Sequence, residues 1–160
     1  MSVKVLFVCL GNICRSPTAQ AVMQQKSVLA GLAIEVESAG TAASTRAQRP
    51  DVRSVEEGIN AGYDFSGIMS RPVLDNDFAH YDMILAMDES NLEHLQQRCP
   101  HEYRHKIGLF MQFHPDYPRY SEVPDPYYGG RKGFALVLQM IEAGCDGLCR
   151  YLHQERQPQK

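Results

Sequence analysis

Apolar runs and amphipathic segments alternate from the start of this chain. Residues 3–8 form a short, β-branched and nearly uncharged run, which predicts a buried strand. Ser16 followed by Pro17 predicts the start of a helix, with the serine as N-cap and the proline in the first helical position. Apolar residues then recur at helical spacing as far as Gly31, which is typical of a helix end.

The same alternation continues along the rest of the sequence. Apolar or alternating patterns predict three further strands: 33–41, 81–88 and 106–110. Helical spacing of apolar residues covers three further segments: 52–60, 89–98 and 133–153. The polar stretch 41–51 and the stretch 112–130, which is rich in Pro, Tyr and Asp, predict loops.

Four strands that alternate with helices favour an α/β fold, with a parallel sheet covered by helices on both faces. Neither an internal repeat nor a linker divides the sequence, so residues 1–160 are expected to form a single domain. The composition, with 44% hydrophobic and 22% charged residues, is typical of a globular protein with a hydrophobic core. Functional sites in parallel sheets lie beyond the carboxyl ends of strands, and residues 9–15 follow the first strand.

Charge and cysteine usage narrow the classes of function. The formal net charge of -3 argues against a nucleic-acid-binding protein, which needs clustered Lys and Arg. The N-terminal apolar run is too short for a signal peptide, and no window approaches the roughly 20 apolar residues of a membrane span. We therefore expect a cytoplasmic protein without a membrane partner. Five cysteines, an odd number, predict reduced thiols rather than a disulfide framework.

The segment CLGNICRSP, at 9–17, places Cys9 and Arg15 six positions apart at the predicted strand-to-helix turn. The backbone amides of residues 10–15 can curl around one centre there, close to the positive end of the helix, and so form a site for a tetrahedral dianion. Arg15 can add a two-pronged hydrogen bond to a phosphate group. The same positive surroundings favour a thiolate at Cys9, which would lie beneath the phosphorus as a nucleophile.

A Cys-x5-Arg spacing also occurs by chance, and most free cysteines are small buried hydrophobic residues. The context favours catalysis over packing, because Gly11 and Asn12 suit unusual backbone angles inside such a turn. A nucleotide-binding loop is excluded, since the Gly-Lys-Ser/Thr ending is missing.

Transfer of a phosphoryl group to Cys9 would expel an alkoxide or phenoxide, which an acid must protonate. The best candidate is Asp125, which lies between two prolines in the segment PDPYYGG at 124–130. Tyr127 and Tyr128 could line a groove for a flat substrate. Alternatively, the Asp-Pro pair is turn chemistry and the two tyrosines pack on the surface.

In VCLGNICRSP together with the downstream DPYYG, the chain resembles the low-molecular-weight protein tyrosine phosphatases. The resemblance extends over nearly the whole chain through three further motifs: SAGT at 38–41, PDVRS at 50–54 and MDESN at 87–91. It implies a four-stranded parallel sheet flanked by helices, a cysteinyl-phosphate intermediate, and neither a metal nor a cofactor. The implied substrates are phosphotyrosine-containing proteins or small aryl phosphates, and the implied state is a monomer or a weakly self-associating protein.

The resemblance also implies roles for single residues. Cys9 would be the nucleophile, Arg15 would bind phosphate and stabilise the transition state, and Asp125 would be the general acid and then the general base. Asn12 would hold the loop's shape, and Ser16 would hydrogen-bond the Cys9 thiolate. The phosphate-binding loop would comprise Leu10, Gly11, Asn12, Ile13, Cys14 and Ser16, and the groove would be lined by Tyr127 and Tyr128.

The sequence departs from the family's pattern at two positions. Ser44 stands where many relatives have an aromatic residue that forms a wall of the groove. Ile68 stands where the family usually has a histidine near the aspartate of MDESN, so Asp88 is expected to lose that partner. We expect these departures to alter or weaken the preference for peptides and to leave the chemistry intact. Asp88 is expected to act as the N-cap of the following helix, without a catalytic role.

The other cysteines and the basic residues leave alternatives open. By the resemblance, Cys14 can form a reversible disulfide with Cys9, but it can equally have a packing role. Cys145 and Cys149 are expected in the core. Cys99 with His94, His101 and His105 does not have the fixed cysteine pair of a zinc site, so surface histidines and no metal are expected. Arg46, Arg49 and Arg53 could attract acidic substrates to one rim, but a solvated loop is expected instead. Residues 153–160 are expected to be exposed.

Two competing functions remain. Arsenate reductases share the fold and the anion loop. Their chemistry, however, resembles a relay of thiols, which needs a redox pair of cysteines on a mobile segment near the loop. The only candidates, Cys145 and Cys149, lie within one predicted helix. A catalytically silent phosphate-binding protein would need neither the thiol of Cys9 nor the acid at Asp125.

Overall fold

Four parallel strands form the centre of the computed structural model, which describes residues 2–156. The strands are β1 (Val3–Cys9), β2 (Ile34–Gly40), β3 (Met83–Ala86) and β4 (Ile107–Leu109). They are arranged in the order β2-β1-β3-β4, and every neighbouring pair is parallel. The four-stranded parallel sheet that the sequence predicts is therefore confirmed, with β1 in an interior position.

Helices connect the strands and continue beyond the last one. They are α1 (Arg15–Leu29), α2 (Val52–Asn60), α3 (Asp77–His80), α4 (Glu89–Arg98) and α5 (Arg131–Arg156). Two 3₁₀ segments cover His101–Lys106 and Phe110–Phe113. The four longer helices agree with the sequence pattern within a few residues. The four-residue α3 was not predicted, because it is too short to show a helical repeat.

Alternate residues of β1 supply two separate hydrophobic cores. Val5 and Phe7 belong to the larger core, which includes Ile141 of α5, and Leu6 and Val8 belong to the smaller core. Since successive side chains of a strand point to opposite faces, the two cores show that both faces of the sheet are covered, as expected. None of the helices in residues 2–156 is long and apolar enough to cross a membrane.

Of the two N-cap residues predicted from the sequence, one is confirmed by the structure and one is not. Asp88 caps α4 as predicted, because its Oδ1 accepts a hydrogen bond from the Asn91 amide at 2.8 Å. The prediction that Ser16 caps α1 is wrong: the helix begins at Arg15, and Cys14 occupies the N-cap position. The Ser16 hydroxyl instead contacts the sulfur of Cys9 at 2.9 Å, so it is engaged in the turn before the helix.

Cys145 and Cys149 of α5 are buried in the larger core, which confirms the prediction made for them. The helix is longer than predicted and continues to Arg156. His153 is exposed, in agreement with the expected solvent exposure of the C-terminal segment. Positions 157–160 of that segment lie outside the described residues.

The glycines of α5 allow this helix to cross the 3₁₀ segment Phe110–Phe113 closely. A Cβ atom at Gly147 would lie 1.7 Å from the carbonyl oxygen of Phe113, and one at Gly144 would lie 2.5 Å from the Phe110 ring. A side chain at Gly147 would therefore collide with backbone, which cannot move aside as a flexible side chain can.

We expect Gly147→Ala to lower the free energy of unfolding by about 2–4 kcal/mol, because overpacking against backbone forces the two segments apart. Gly133→Ala in the first turn of the same helix is the matched control, since its Cβ would make an ordinary 3.7 Å contact with Pro126. That control should be neutral or stabilising by up to about 1 kcal/mol. Urea denaturation measures both, and equal stability of the two variants would contradict the packing described here.

Candidate active site

The turn from β1 into α1, residues 9–15, is anchored from outside through its carbonyl groups. The amides of Thr41, Ala42 and Asp51 donate to the carbonyl oxygens of Cys9, Leu10 and Ile13, at 2.9, 2.8 and 2.7 Å. Within residues 2–156, the amides of residues 10–15 have no hydrogen-bond acceptor. The turn therefore presents unpaired N–H groups next to the N-terminus of α1, where a bound anion is stabilised.

The backbone of the turn has one strained position. Asn12 has a φ of 57°, in the left-handed region that asparagine tolerates better than most residues. Its side chain fixes this conformation from both ends: Nδ2 donates to the Ser16 hydroxyl at 2.7 Å, and Oδ1 accepts from the Arg71 amide at 2.9 Å. Asn12 thus ties the turn to α1 and to the segment before α3.

Gly40, at the end of β2, permits the close approach of this turn. A Cβ there would lie 2.6 Å from the carbonyl oxygen of Leu10 and 3.0 Å from the amide nitrogen of Asn12. This contact gives a physical reason for the glycine in the SAGT motif, since any side chain would displace the turn.

The sulfur of Cys9 lies at the base of the turn and is buried. Its nearest polar partner is the Ser16 hydroxyl, 2.9 Å away. That hydroxyl accepts a hydrogen bond from Asn12 Nδ2, so its own proton can be donated either to the sulfur or to the Ala39 carbonyl oxygen 3.4 Å away. The Ser16 hydroxyl therefore lies in hydrogen-bonding contact with the sulfur of Cys9.

Arg15 is buried, and three groups from distant parts of the chain surround its guanidinium. Nη1 donates to Asp88 Oδ2 at 2.6 Å and to the Val123 carbonyl at 2.9 Å, and Nη2 lies 3.6 Å from Asp125 Oδ2. The sequence pattern predicted only a capping role for Asp88 and did not reveal this ion pair. One signal could have found it, because Asp88 closely follows β3, and carboxyl ends of neighbouring parallel strands meet at one edge of the sheet.

Asp125 lies on the loop before α5 and is partly exposed, with 37% of its side chain accessible. Its Oδ1 accepts a hydrogen bond from the Tyr127 amide at 3.0 Å, which orients the carboxylate. Tyr127 is 42% exposed and Tyr128 94% exposed, and their rings contact edge to face at 4.9 Å. Both rings are therefore available to a substrate.

A cavity of about 150 Å³ joins the turn and the loop. Its lining residues are Cys9, Leu10, Gly11, Ile13, Cys14, Arg15, Asp125, Tyr127 and Tyr128. The structure thus brings together most of the residues that the sequence singled out, although more than 100 positions separate the turn from the loop. Asn12 and Ser16 are buried behind this surface and support it.

The two departures from the family's pattern lie apart from the cavity. Ser44 is exposed and is absent from the lining formed by residues 2–156. Ile68 is buried in the larger core, and Asp88 is paired with Arg15. With Ile68 in place of the family's histidine, the Asp88 carboxylate is still paired with the Arg15 guanidinium.

The cysteines differ in their surroundings, and all five are free thiols, as expected. Burial, together with the negative charge of Asp51, raises the pKa of the Cys14 thiol to about 12. Burial also raises the pKa values of Cys145 and Cys149. These thiols stay protonated at neutral pH, so none of the three is primed as a nucleophile.

The three histidines near Cys99 that were considered as zinc ligands are exposed, as expected: His94, His101 and His105. Cys99 itself is buried. No cluster of three or more His, Cys, Asp or Glu side chains that could hold a metal ion occurs within residues 2–156.

The expectation of a solvated Arg53 holds only in part, because its side chain is 33% exposed but makes several contacts. Its guanidinium contacts both carboxylate oxygens of Asp51 and the carbonyl oxygens of Tyr127 and Gly129. The helical pattern of α2 could not reveal these partners, because the two carbonyl groups lie more than 70 positions further along the chain.

Comparison with known proteins agrees with this geometry. A sequence model described as "Low molecular weight phosphotyrosine protein phosphatase" matches residues 4–158. A low molecular weight phosphotyrosine protein phosphatase of Schizosaccharomyces pombe is 40% identical over 150 residues, covering 88% of this chain and 92% of that protein. YfkJ of Bacillus subtilis, a low molecular weight protein-tyrosine-phosphatase, is 34% identical over 157 residues, covering 97% and 99%.

Solved structures show the same fold. The crystal structure of a protein tyrosine phosphatase from Entamoeba histolytica superposes with a TM-score of 0.91 at 42% identity, covering 98% of this chain and 100% of that one. The family model and these relatives span nearly the whole chain, including the turn with Cys9 and Arg15 and the loop with Asp125. The chain therefore belongs to the low-molecular-weight phosphotyrosine protein phosphatase family and is a phosphatase.

Proposed function

We propose that this enzyme hydrolyses phosphotyrosine through a cysteinyl-phosphate intermediate, with Cys9 as nucleophile, Arg15 as phosphate clamp and Asp125 as general acid and base. The observation that carries the proposal is the shared cavity. Its lining includes Cys9, a turn of unpaired amides, Arg15 and Asp125. A tetrahedral dianion and an aromatic leaving group fit this arrangement of charges.

In the first step, the phosphate oxygens bind the amides of residues 10–15 and the guanidinium of Arg15. The Cys9 thiolate attacks phosphorus, an S–P bond forms and the P–O bond to the tyrosyl group breaks. Asp125 donates its proton to the leaving oxygen, so that tyrosine leaves as a neutral phenol. The fixed N–H groups stabilise the charge on the transferred PO₃ unit without reorganising.

In the second step, the Asp125 carboxylate accepts a proton from a water molecule that attacks the phosphorus. The S–P bond breaks, inorganic phosphate leaves and the Cys9 thiolate is restored. The Ser16 hydroxyl, 2.9 Å from the sulfur, assists this step because it stabilises the negative charge that returns to the leaving sulfur. One carboxyl group thus serves as acid and then as base.

Asp88 and Asn12 act on the residues that contact substrate. The Asp88 carboxylate and the Val123 carbonyl hold the Arg15 guanidinium in place before phosphate binds. A fork that is already oriented loses less conformational entropy on binding. Asn12 fixes the left-handed position of the turn through its contacts with Ser16 and Arg71.

The rings of Tyr127 and Tyr128 border the cavity and fit an aryl group better than a flexible alkyl chain. We infer that the substrates are phosphotyrosine-containing proteins or small aryl phosphates, and that the enzyme acts in the cytoplasm without a cofactor. Arsenate reduction is disfavoured, because Cys145 and Cys149 are buried within α5 rather than on a mobile segment beside the turn.

Hydrolysis of phenyl phosphate and p-nitrophenyl phosphate tests the assignment. Cys9→Ser should reduce turnover to background, because the hydroxyl is a far weaker nucleophile than a thiolate. Asp125→Ala should lower kcat/KM for phenyl phosphate by about 10²–10⁴-fold. It should also leave phosphocysteine detectable by mass spectrometry after rapid quenching. Asp116→Ala, at an exposed aspartate of the same long loop, is the matched control and should keep full activity.

Three results would contradict the assignment. They are full activity of Cys9→Ser, equal losses in the two aspartate variants, and arsenate reduction with thioredoxin in the absence of aryl phosphatase activity.

We also propose that Cys14 protects Cys9 by forming a reversible disulfide after oxidation. Peroxide oxidises a thiolate to a sulfenic acid and releases hydroxide. A neighbouring thiolate can then attack the sulfenic sulfur, so that the S–S bond forms, the S–O bond breaks and hydroxide leaves, before a second peroxide gives the sulfinic acid. Because the pKa of Cys14 is raised to about 12, only a small fraction of it is thiolate at neutral pH. At fixed peroxide, the ratio of disulfide to sulfinic acid should therefore rise steeply between pH 7 and pH 9.

Mass spectrometry of quenched samples measures this ratio, and Cys14→Ser supplies the control, in which sulfinic acid at Cys9 is expected at every pH. A ratio that is constant over this pH range, or sulfinic acid alone in the unmodified protein, would contradict the protective role.

By the family resemblance, Ser44 stands where an aromatic residue would form a wall of the substrate groove, so its small exposed side chain predicts a weakened wall. We expect Ser44→Tyr to lower KM for phosphotyrosine peptides about two- to tenfold, because an aromatic contact contributes about 0.5–1.5 kcal/mol. The inhibition constant of inorganic phosphate should not change, since phosphate does not reach this wall. Identical peptide kinetics before and after the substitution would exclude Ser44 as a determinant of peptide preference.

A further inference from the structure

Arg53 lies outside the cavity, yet it connects the two segments that form it. On one side, Nε and Nη2 contact the Asp51 carboxylate at 3.1 and 3.0 Å. Asp51 in turn donates its backbone amide to the Ile13 carbonyl at 2.7 Å, which anchors the phosphate-binding turn. The guanidinium is therefore two contacts away from the turn that binds phosphate.

On the other side, the same guanidinium holds the loop that carries Asp125. Nη2 donates to the Tyr127 carbonyl at 3.0 Å, and Nη1 donates to the Gly129 carbonyl at 3.4 Å. The Tyr127 amide donates to Asp125 Oδ1 at 3.0 Å. Tyr127 is thus held by Arg53 through its C=O and holds the Asp125 carboxylate through its N–H.

Aromatic rings fix the guanidinium between these partners. The Arg53 Cζ atom lies 4.4 Å from the centroid of the Phe134 ring and 5.6 Å from that of the Tyr127 ring. Contacts between a guanidinium and aromatic rings favour arginine over lysine. The hydrogen bonds from Arg53 also lower the pKa of the Asp51 carboxyl, so Asp51 remains ionised and the pair stays intact under ordinary conditions.

We propose that Arg53 is a positioning residue for the general acid, holding Asp125 at the distance from the phosphate-binding turn that proton transfer requires. This inference rests on the proposed role of Asp125. A displacement of about 1 Å in a reacting group can lower a rate by up to about 10²-fold. Loss of Arg53 should therefore affect the proton-transfer part of the reaction more than phosphate binding.

The discriminating measurement is the dependence of kcat/KM on the leaving group. Phenoxide is strongly basic and needs the acid, whereas p-nitrophenoxide leaves readily without it. We expect Arg53→Gln to lower kcat/KM about tenfold for phenyl phosphate and less than about threefold for p-nitrophenyl phosphate. In the Asp125→Asn background, Arg53→Gln should cause no further loss for phenyl phosphate, because both changes remove the same function.

Two further variants keep the test independent of folding and of charge. Arg131→Gln removes an exposed arginine whose 2.6 Å bond to Glu56 also joins α5 to α2, but without contact to the Tyr127 carbonyl. It should leave both substrates unaffected, since such surface pairs contribute little. Arg53→Lys retains the charge but not the planar fork, and it should reproduce the leaving-group dependence even if Arg53→Gln is poorly folded.

The outcomes separate the two proposals. Equal losses for both substrates in the Arg53 variants, or no loss at all, would overturn the positioning role, and so would an additive loss in the double variant. If Asp125→Asn itself affects both substrates equally, the acid role of Asp125 fails, irrespective of Arg53. If Asp125→Asn depends on the leaving group and Arg53→Gln and Arg53→Lys follow it to a smaller degree, the positioning role is supported.

Discussion

The site depends on one constraint, which is that the turn after β1 must direct its backbone amides inward. Three carbonyl groups of the turn bind amides from other segments, and within the described chain the amides of residues 10–15 are left without acceptors. The conformation requires a left-handed residue at Asn12 and a neighbour without a side chain at Gly40. Unpaired amides are costly in a folded protein, so an anion that satisfies them binds strongly. The proposed affinity for phosphate thus depends on the backbone as well as on Arg15.

The charged groups beside this turn are also held by contacts from distant segments. A buried guanidinium is stable only when its donors are satisfied, and Arg15 finds Asp88 and the Val123 carbonyl. These partners leave the group oriented toward the cavity, where Asp125 lies 3.6 Å away. In the proposed mechanism Asp125 acts twice at this cavity, first as an acid and then as a base.

The surroundings also separate the thiols by reactivity. Cys9 has the Ser16 hydroxyl at its sulfur and lines the cavity, whereas burial and the charge of Asp51 keep Cys14 protonated only five positions away. Asp51 further connects to Arg53, and through it to the backbone of Tyr127. Asp51 and Arg53, at the start of α2, therefore contact both the turn at residues 9–15 and the loop that carries Asp125.

The sequence by itself determined the parallel sheet, its helices and the position of Cys9 and Arg15 at a strand end. These follow from periodicity and spacing, which are local. The family resemblance strengthened the case for Asp125, for which local pattern alone left simple turn chemistry open, and it implied the contact of Ser16 with the sulfur of Cys9. Only the tertiary structure decided that α1 begins before Ser16, that Asp88 pairs with Arg15, and that Arg53 holds the backbone of Tyr127. The latter two contacts join residues 73 and 74 positions apart, and no local rule specifies which distant partner satisfies a charged side chain once the chain is compact.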